Sequence, residues 1–227
     1  MSIKMAITTK DLKGSFSEKW LYHDSIEMVI VSFFGDKVQT HLLMCDLVHL
    51  RFSTVNEIRA KASRQLNILD SDIILHCTHD HTGPSEPEMN IGVLIEKIVE
   101  GVQENKKKQV EAKMALVSVE TKGELNINRR KIMPHGMGKF TVWTGCEEKE
   151  GKFDGSRIAI RRLKDWMGEE FELNELKNPL FYDEDERDTF LQAVFFKNKN
   201  DHIIGSIVRF CGHPAVAAHT TNRKYSA

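Results

Sequence analysis

Residues 73–84 read IILHCTHDHTGP, and this stretch decides how the rest of the chain is interpreted. Its first part, which ends at Cys77, is a short apolar run bounded by turn residues and predicts a β-strand. His79 and His81 follow two positions apart, and a Gly-Pro pair then marks a turn. Side chains two positions apart lie on the same side of an extended chain. We therefore expect both imidazoles to point at one place.

Histidine pairs that leave a strand are a common start for a zinc site, because imidazole nitrogen is a frequent zinc ligand. Two histidines do not complete such a site, so other parts of the chain must contribute. The next candidate is His213, which ends a second apolar run and precedes a proline. His76 alternates to the other side of its strand and is expected to be buried in the core. Asp80 is expected to point away from the pair and either to stabilise the loop or to orient one of the imidazole rings.

The histidine pair has two other interpretations. The metallo-β-lactamase pattern His-x-His-x-Asp-His needs Asp and His where this chain has Gly83 and Pro84, so that class is excluded. The second is a metal-free turn in which His79 and His81 only form hydrogen bonds. That alternative stays open on the sequence alone.

The order of predicted elements is that of an α/β protein. Strands are expected at residues 28–34 and 38–45 as a hairpin, at 73–77, at 115–119, and at 190–196 and 203–210 as a second hairpin. One helix is expected to open with the capping-box residues Thr54 and Glu57, and another to carry apolar residues from 91 to 102. The pattern predicts one layered α/β/α-type domain over residues 1–227 with a mixed, partly parallel sheet. An irregular excursion is expected at about 123–182, with short strands at 140–143 and 157–161.

Composition limits the functions that the chain can have. Its 227 residues carry 32 Lys and Arg against 33 Asp and Glu, a net charge of −1, so no overall field attracts nucleic acid or anionic lipid. The sequence has no stretch long and apolar enough to span a membrane and no apolar leader at its start. Its four cysteines include no C-x-x-C pair, which indicates a reducing compartment. We expect a cytoplasmic protein.

A third polar segment, Asn128-Arg129-Arg130, follows the alternating residues 125–128. One interpretation is a substrate-binding segment in which a guanidinium holds a substrate oxygen or a carboxylate near the metal. The other is a solvated strand end. The sequence does not separate the two.

In this combination the segments resemble the N-terminal domain of the neutral/alkaline, non-lysosomal ceramidase family. Residues 78–84 are similar to the family's Thr-His-Thr-His-Ser-Gly-Pro run, residues 128–130 to its Asn-Arg segment, and residues 213–215 to its His-Pro-Thr. The resemblance runs in order from about Tyr22 to the last residue. It implies that His79 and His213 hold zinc, that His81 lies beside the metal-bound water, and that Arg129 contacts substrate. The family cleaves the amide of N-acylsphingosines.

These observations predict a zinc-dependent hydrolase in which metal-bound water attacks the amide of an N-acyl substrate. His81 is the expected general acid and base, Arg129 the residue that stabilises the oxyanion, and Asn128 a further substrate contact. An esterase or lactonase acting on a small soluble substrate, and a metal-free non-enzymatic domain, are the alternatives.

The resemblance also predicts that the chain is truncated, because the family's Glu and Tyr ligands lie downstream of residue 227. Zinc is then expected to bind weakly or not at all, and the truncated chain to be inactive. A shared zinc would bring the ligating nitrogens of His79 and His213 to within about 3.5 Å, with the preceding strands as neighbours in the sheet.

Overall fold

The structure is a computed structural model. It describes residues 3–16, 21–22, 24–36, 38–81, 83–84, 86–121, 130–132, 139–141, 147–149, 152–154, 188–212 and 223–224. Within these residues no helix is long and apolar enough to cross a membrane.

The described elements alternate between strands and helices in the manner of an α/β protein. The helices are α1, Phe52–Leu66, and α2, Ile91–Lys108. The strands in chain order are β1 Ile3–Asp11, β2 Leu21–Tyr22, β3 Glu27–Phe34, β4 Gln39–Cys45, β5 Ile73–Cys77, β6 Val110–Glu120, β7 Arg130–Ile132, β8 Lys139–Thr141, β9 Glu147–Lys149, β10 Lys152–Asp154, β11 Phe190–Lys197, β12 Ile203–Arg209 and β13 Arg223–Lys224.

Seven strands form one mixed sheet in the order β12-β11-β6-β1-β3-β4-β5. The pairs β1–β3 and β3–β4 are antiparallel, whereas β4 and β5, which α1 connects, are parallel. The predicted α/β class with a mixed, partly parallel sheet is confirmed. The ranges expected for β3, β4 and β5 differ from the observed ones by at most one residue.

Both helices pack on one face of this sheet. The buried face of α1 includes Ile58 and Ala62, and that of α2 includes Leu94, Ile98 and Val102. They form one core with the buried side chains of β3 and β4. Removing these apolar side chains from water is the main driving force that holds the helices on the sheet.

The other face is packed by the hairpin of β11 and β12. The ring of Phe196 in β11 is 1% exposed and lies 5.5 Å from the ring of Phe33 in β3, centroid to centroid. In β12, a Cβ added at Gly205 would lie 2.1 Å from Cδ1 of Ile7 in β1. The backbone of β12 at Gly205 therefore lies against the side chain of Ile7, and a larger residue there would require that side chain to move.

One strand was not predicted, and one local expectation was wrong. No strand was predicted at Ile3–Asp11, although β1 pairs with both β3 and β6 inside the sheet. The capping box at Thr54 and Glu57 is not formed, because α1 already begins at Phe52, and its N-cap residue Arg51 makes no side-chain cap. An arginine side chain has no hydrogen-bond acceptor with which to cap a helix.

The chain divides into two compact units. The first contains residues 1–117, 192–209 and 213–227, and the second contains residues 118–191 and 210–212. The described part of the second unit includes the antiparallel pairs β7–β8 and β9–β10. There, β8 overlaps the short strand expected at 140–143, whereas the strand expected at 157–161 lies outside the described residues.

Candidate functional site

The candidate site lies where the parallel strands β4 and β5 end side by side. Cys45 and Cys77 are the last residues of the two strands and are register partners. The backbone N–H of Thr78 then donates to the carbonyl of Cys45, at 3.0 Å. Ligand sites of α/β sheets lie beyond the carboxyl ends of such strands. The segment after β5, here called the histidine loop (residues 78–90), leaves the sheet at that place.

His79 is held in an uncommon backbone conformation at the start of the histidine loop. Its φ is 65°, in the left-handed region that few residues other than glycine adopt. Its backbone N–H donates to the carbonyl of Leu47 at 3.0 Å, and its Nδ1 lies 2.8 Å from the carbonyl of Val48. Both acceptors belong to the β4–α1 connection (residues 46–51). These two bonds offset the cost of the left-handed conformation.

The bond to Val48 also fixes the tautomer of His79. A carbonyl oxygen only accepts, so Nδ1 carries the hydrogen and, in the neutral ring, Nε2 carries the lone pair. Nε2 of His81 lies 3.2 Å from Nε2 of His79, and the two rings stand at 89° with centroids 4.7 Å apart. Both side chains are exposed. The structure therefore presents two ε nitrogens together at an accessible surface.

The structure brings His79 and His81 together as the sequence predicted, but the expected reason was wrong. The prediction rested on alternation along an extended strand. In fact β5 ends at Cys77, and His79 is left-handed. The rings meet because the turn after the strand directs them to one point.

A buried carboxylate supports the turn from behind. Asp80 is fully buried, so it points away from the exposed histidine pair, as expected. Its carbonyl accepts a hydrogen bond from the backbone N–H of Gly83 at 3.1 Å. A Cβ added at Gly83 would lie only 2.9 Å from the carbonyl oxygen of Asp46. The turn therefore packs directly on the backbone at the end of β4 and needs a glycine at this point.

Asp46 is the second carboxylate behind the histidine loop. Burial, helped by the charges of Asp80 and Glu27, raises the pKa of Asp46 to about 6, against lowering hydrogen bonds from the backbone N–H of Glu27 and the side chain of Thr78. Two partly desolvated carboxyl groups thus lie on the protein side of the turn.

One of the described residues has the chemistry of a zinc ligand. Nε2 of the exposed His79 carries a lone pair, and the bond from Nδ1–H to the Val48 carbonyl holds the ring, while Nε2 of His81 lies at a hydrogen-bond distance of 3.2 Å. Within the described residues, however, no group of three or more His, Cys, Asp or Glu side chains is arranged to hold a metal ion. Any further ligand would have to come from elsewhere.

The other predicted site residues, Asn128, Arg129 and His213, lie outside the described residues. One part of the expectation for His213 is wrong. The strands that precede His79 and His213 are β5 and β12, which stand at the two ends of the strand order and are not neighbours. The distance between the two rings stays a prediction.

His76 differs from its expected position. It was predicted to be buried in the core, but it is exposed. Ile73, Leu75 and Cys77 belong to the helix-covered core, so alternation places His76 on the opposite face. Because β5 is an end strand, the described residues leave that face uncovered at His76.

Two features of the structure were not predicted from the sequence. The first is the carboxylate of Glu86, which lies in the histidine loop. It accepts hydrogen bonds from the backbone N–H of Arg51, at 2.6 Å, and from Oγ1 of Thr54, at 2.5 Å. Partial burial favours a higher pKa for Glu86, but these hydrogen bonds outweigh it and hold the pKa below its usual value. The one sign of this contact in the sequence is that Arg51, the residue before α1, has no side-chain acceptor that could cap the helix.

The second missed feature is a buried polar network between α2 and the sheet. Asn105 donates to the carbonyl of Ile30 and to Oγ of Ser32, and it accepts a bond from Oγ1 of Thr8. Nδ1 of His41 lies 2.9 Å from the same Ser32 hydroxyl. Burial, together with the charge of Lys106, lowers the pKa of His41 to about 4 despite the opposing charge of Asp72. His41 is therefore a neutral core residue.

Comparisons with known proteins add information about the fold. No family model and no curated protein matches the sequence. The structure is similar to that of the neutral ceramidase from Pseudomonas aeruginosa, with a TM-score of 0.56 and 12% identity over 100% of this chain and 38% of that one. It is also similar to a ceramidase complexed with C2, with a TM-score of 0.56 and 10% identity over 100% and 37%.

At this level of identity the similarity shows the fold alone. The chain spans less than two fifths of the length of the two ceramidases that it matches. The fold and the site together define an α/β domain of ceramidase-like fold with a paired-histidine loop at the carboxyl ends of two parallel strands.

Proposed function

We propose that this protein is a metal-dependent hydrolase of ceramidase-like type that cleaves the amide bond of an N-acyl substrate. The observation that carries the proposal is the 3.2 Å approach of the ε nitrogens of His79 and His81 at the carboxyl ends of β4 and β5. A ceramidase-like fold over the whole chain supports it. Fold alone does not define an activity, so the proposal depends mainly on the histidine pair.

His79 is the proposed zinc ligand among the described residues, and His213 is the proposed partner ligand. The bond from Nδ1–H of His79 to the Val48 carbonyl favours this role, because it leaves the lone pair on Nε2 and fixes the ring. Zinc, when bound, supplies polarisation of the acyl carbonyl and a water whose pKa is lowered to about 7.

His81 is the proposed general acid and base. Its exposed ring lies beside the ligating nitrogen of His79, within hydrogen-bond reach of a group held there. In this role Nε2 of His81 takes the proton of the attacking water and delivers it to the leaving nitrogen. Arg129 is proposed to stabilise the negative charge that develops on the acyl oxygen, and Asn128 to bind substrate beside it.

The assay uses the full-length gene product with zinc supplied. It compares N-acyl and O-acyl compounds of short and long chain. We expect amide hydrolysis that a chelator abolishes and added zinc restores. His79→Ala should lose it, whereas His76→Ala, which changes an exposed histidine outside the pair, should keep it. Faster cleavage of short O-acyl compounds or lactones would favour an esterase or lactonase. A zinc-loaded protein that cleaves no amide or ester would contradict the proposal.

A metal-free binding domain is the second candidate, and one observation favours it. Both imidazoles already have hydrogen-bond contacts, Nδ1 of His79 with the Val48 carbonyl and Nε2 of His81 with Nε2 of His79. In that case His79 and His81 would only form hydrogen bonds. Metal analysis of protein purified without a histidine tag separates the candidates: about one zinc per chain that is lost in His79→Ala excludes the metal-free domain.

A further inference from the structure

Glu86 connects the histidine loop to a second part of the protein. Its two carboxylate oxygens accept from the backbone N–H of Arg51 and from Oγ1 of Thr54, 35 and 32 positions earlier. Both donors lie at the start of α1, where Arg51 is the N-cap residue and Thr54 belongs to the first turn. A carboxylate at this place also interacts favourably with the positive end of the helix dipole.

The helix has no other cap among its neighbouring residues. Arg51 occupies the N-cap position and makes no side-chain cap, and the first turn contains no acidic residue. The N–H groups of a first helical turn need acceptors from outside the helix. Glu86 supplies the acceptor for the N–H of the N-cap residue, so the histidine loop takes part in capping α1.

The same β4–α1 connection also holds His79. The carbonyls of Leu47 and Val48 accept the backbone N–H and the Nδ1–H of His79. Three positions after Val48, the N–H of Arg51 donates to Glu86. The histidine loop is therefore fastened to one short connection on both sides of His81, first by His79 and then by Glu86.

We infer that Glu86 is a positioning residue that keeps the loop closed on the β4–α1 connection, so that His79 retains its left-handed backbone and its bond to Val48. Glu86 does not touch the ε nitrogens. Its two hydrogen bonds limit the backbone conformations that the chain between His79 and α2 can adopt. Its importance for metal binding rests on the proposed function, whereas its effect on the geometry of the histidine pair does not.

The first readout is the tautomer of His79, measured by long-range nitrogen–proton NMR of the imidazole rings in the metal-free protein. The wild type should show the Nδ1–H form. In Glu86→Ala we expect a mixture of both tautomers and a loss of ring-to-ring contacts between His79 and His81. Thr54→Val removes one of the two bonds and should give a smaller change. The control Ile58→Val weakens the buried face of α1 without removing a hydrogen-bond partner of Glu86 or His79, and it should retain the wild-type tautomer.

The second readout is the affinity for zinc alone. Loss of a residue that supports a ligand typically costs roughly 10- to 100-fold in metal affinity, and we expect a loss in this range for Glu86→Ala. If Glu86→Ala does not fold, Thr54→Val and Glu86→Gln, which retains one acceptor oxygen, decide the question. A wild-type tautomer in these variants, or an equal disturbance in Ile58→Val, would overturn the inference. A wild type that binds no zinc would instead count against the proposed function, and the tautomer would still test Glu86.

Discussion

Nδ1–H of His79 donates to the backbone carbonyl of Val48, 31 positions earlier, at 2.8 Å. No side-chain substitution removes this acceptor, so the orientation of the His79 ring depends on the path of the β4–α1 connection. The β4–α1 connection therefore joins three features: the end of β4, the start of α1 and the candidate site. It also makes the site sensitive to changes that do not touch either imidazole.

The two histidines are expected to differ in their effect on zinc binding. His79→Ala should lower the affinity by about two orders of magnitude, because a metal ligand is lost. His81→Ala should lower it by less than about tenfold if His81 acts on the proton and not on the metal. Isothermal titration with zinc measures both, with His76→Ala as the control. Equal losses in His79→Ala and His81→Ala would mean that His81 is also a ligand.

Gly83→Ala is expected to destabilise the protein and to disturb the site. The added methyl group would lie 2.9 Å from the carbonyl oxygen of Asp46, and rigid backbone cannot retreat easily. Such overpacking typically costs about 1–3 kcal/mol of unfolding free energy. Gly14→Ala is the matched control, because nothing lies within 4 Å of its added carbon. Urea unfolding that places both variants at wild-type stability would show that the turn does not pack as described.

Asn105→Ala is expected to be among the most damaging polar substitutions in α2. It removes the acceptor of the buried Thr8 hydroxyl, whereas the Ser32 hydroxyl retains its contact with Nδ1 of His41. An unpaired buried group costs about 1–3 kcal/mol, and we expect a loss of unfolding free energy in this range. Thermal and urea unfolding measure it. Gln103→Ala, at an exposed position of the same helix, should change stability little.

Much of the fold could be predicted because its signals are local. The strands β3, β4 and β5 and the buried faces of α1 and α2 follow from short apolar periods in the sequence. The strand β1 could not be predicted in this way. Its central position is set by pairing with β3 and β6 and not by its own residues.

The candidate site, too, was predicted from the sequence only where its signals are local. A His-x-His pair before a Gly-Pro turn is visible in the sequence, and the structure confirms that the two rings meet. The left-handed backbone of His79 and the cap that Glu86 gives to α1 are not visible, because both depend on groups more than thirty positions away. His76 was misplaced because the sequence does not show that β5 is an end strand of the sheet.

His41 is expected to make the fold sensitive to acid. Its pKa is about 4 in the folded protein against 6.5 in an unfolded chain, so between these values the unfolded state binds more protons. The contribution of His41 to the free energy of unfolding should therefore fall by about 3 kcal/mol as the pH falls from about 6.5 to about 4. Asp46 opposes this, since its raised pKa adds stability that is lost as the pH rises through about 6.

The contribution of His41 is isolated by comparing variants over that pH range. Urea unfolding of His41→Gln should show a weaker loss of stability toward low pH than the wild type. His202→Gln, at an exposed histidine, should retain the wild-type slope. Parallel pH profiles for the wild type and His41→Gln would show that this imidazole can be protonated in the folded state.

The central claim is tested most directly by a crystal structure of the full-length, zinc-loaded protein, with anomalous diffraction recorded at the zinc edge. We predict one zinc peak bonded to Nε2 of His79, with His213 as a second protein ligand, the ring of His81 facing the metal, and the Val48 bond to Nδ1 intact. A structure without zinc at Nε2 of His79, or with His213 far from that nitrogen, would contradict the proposed metal site.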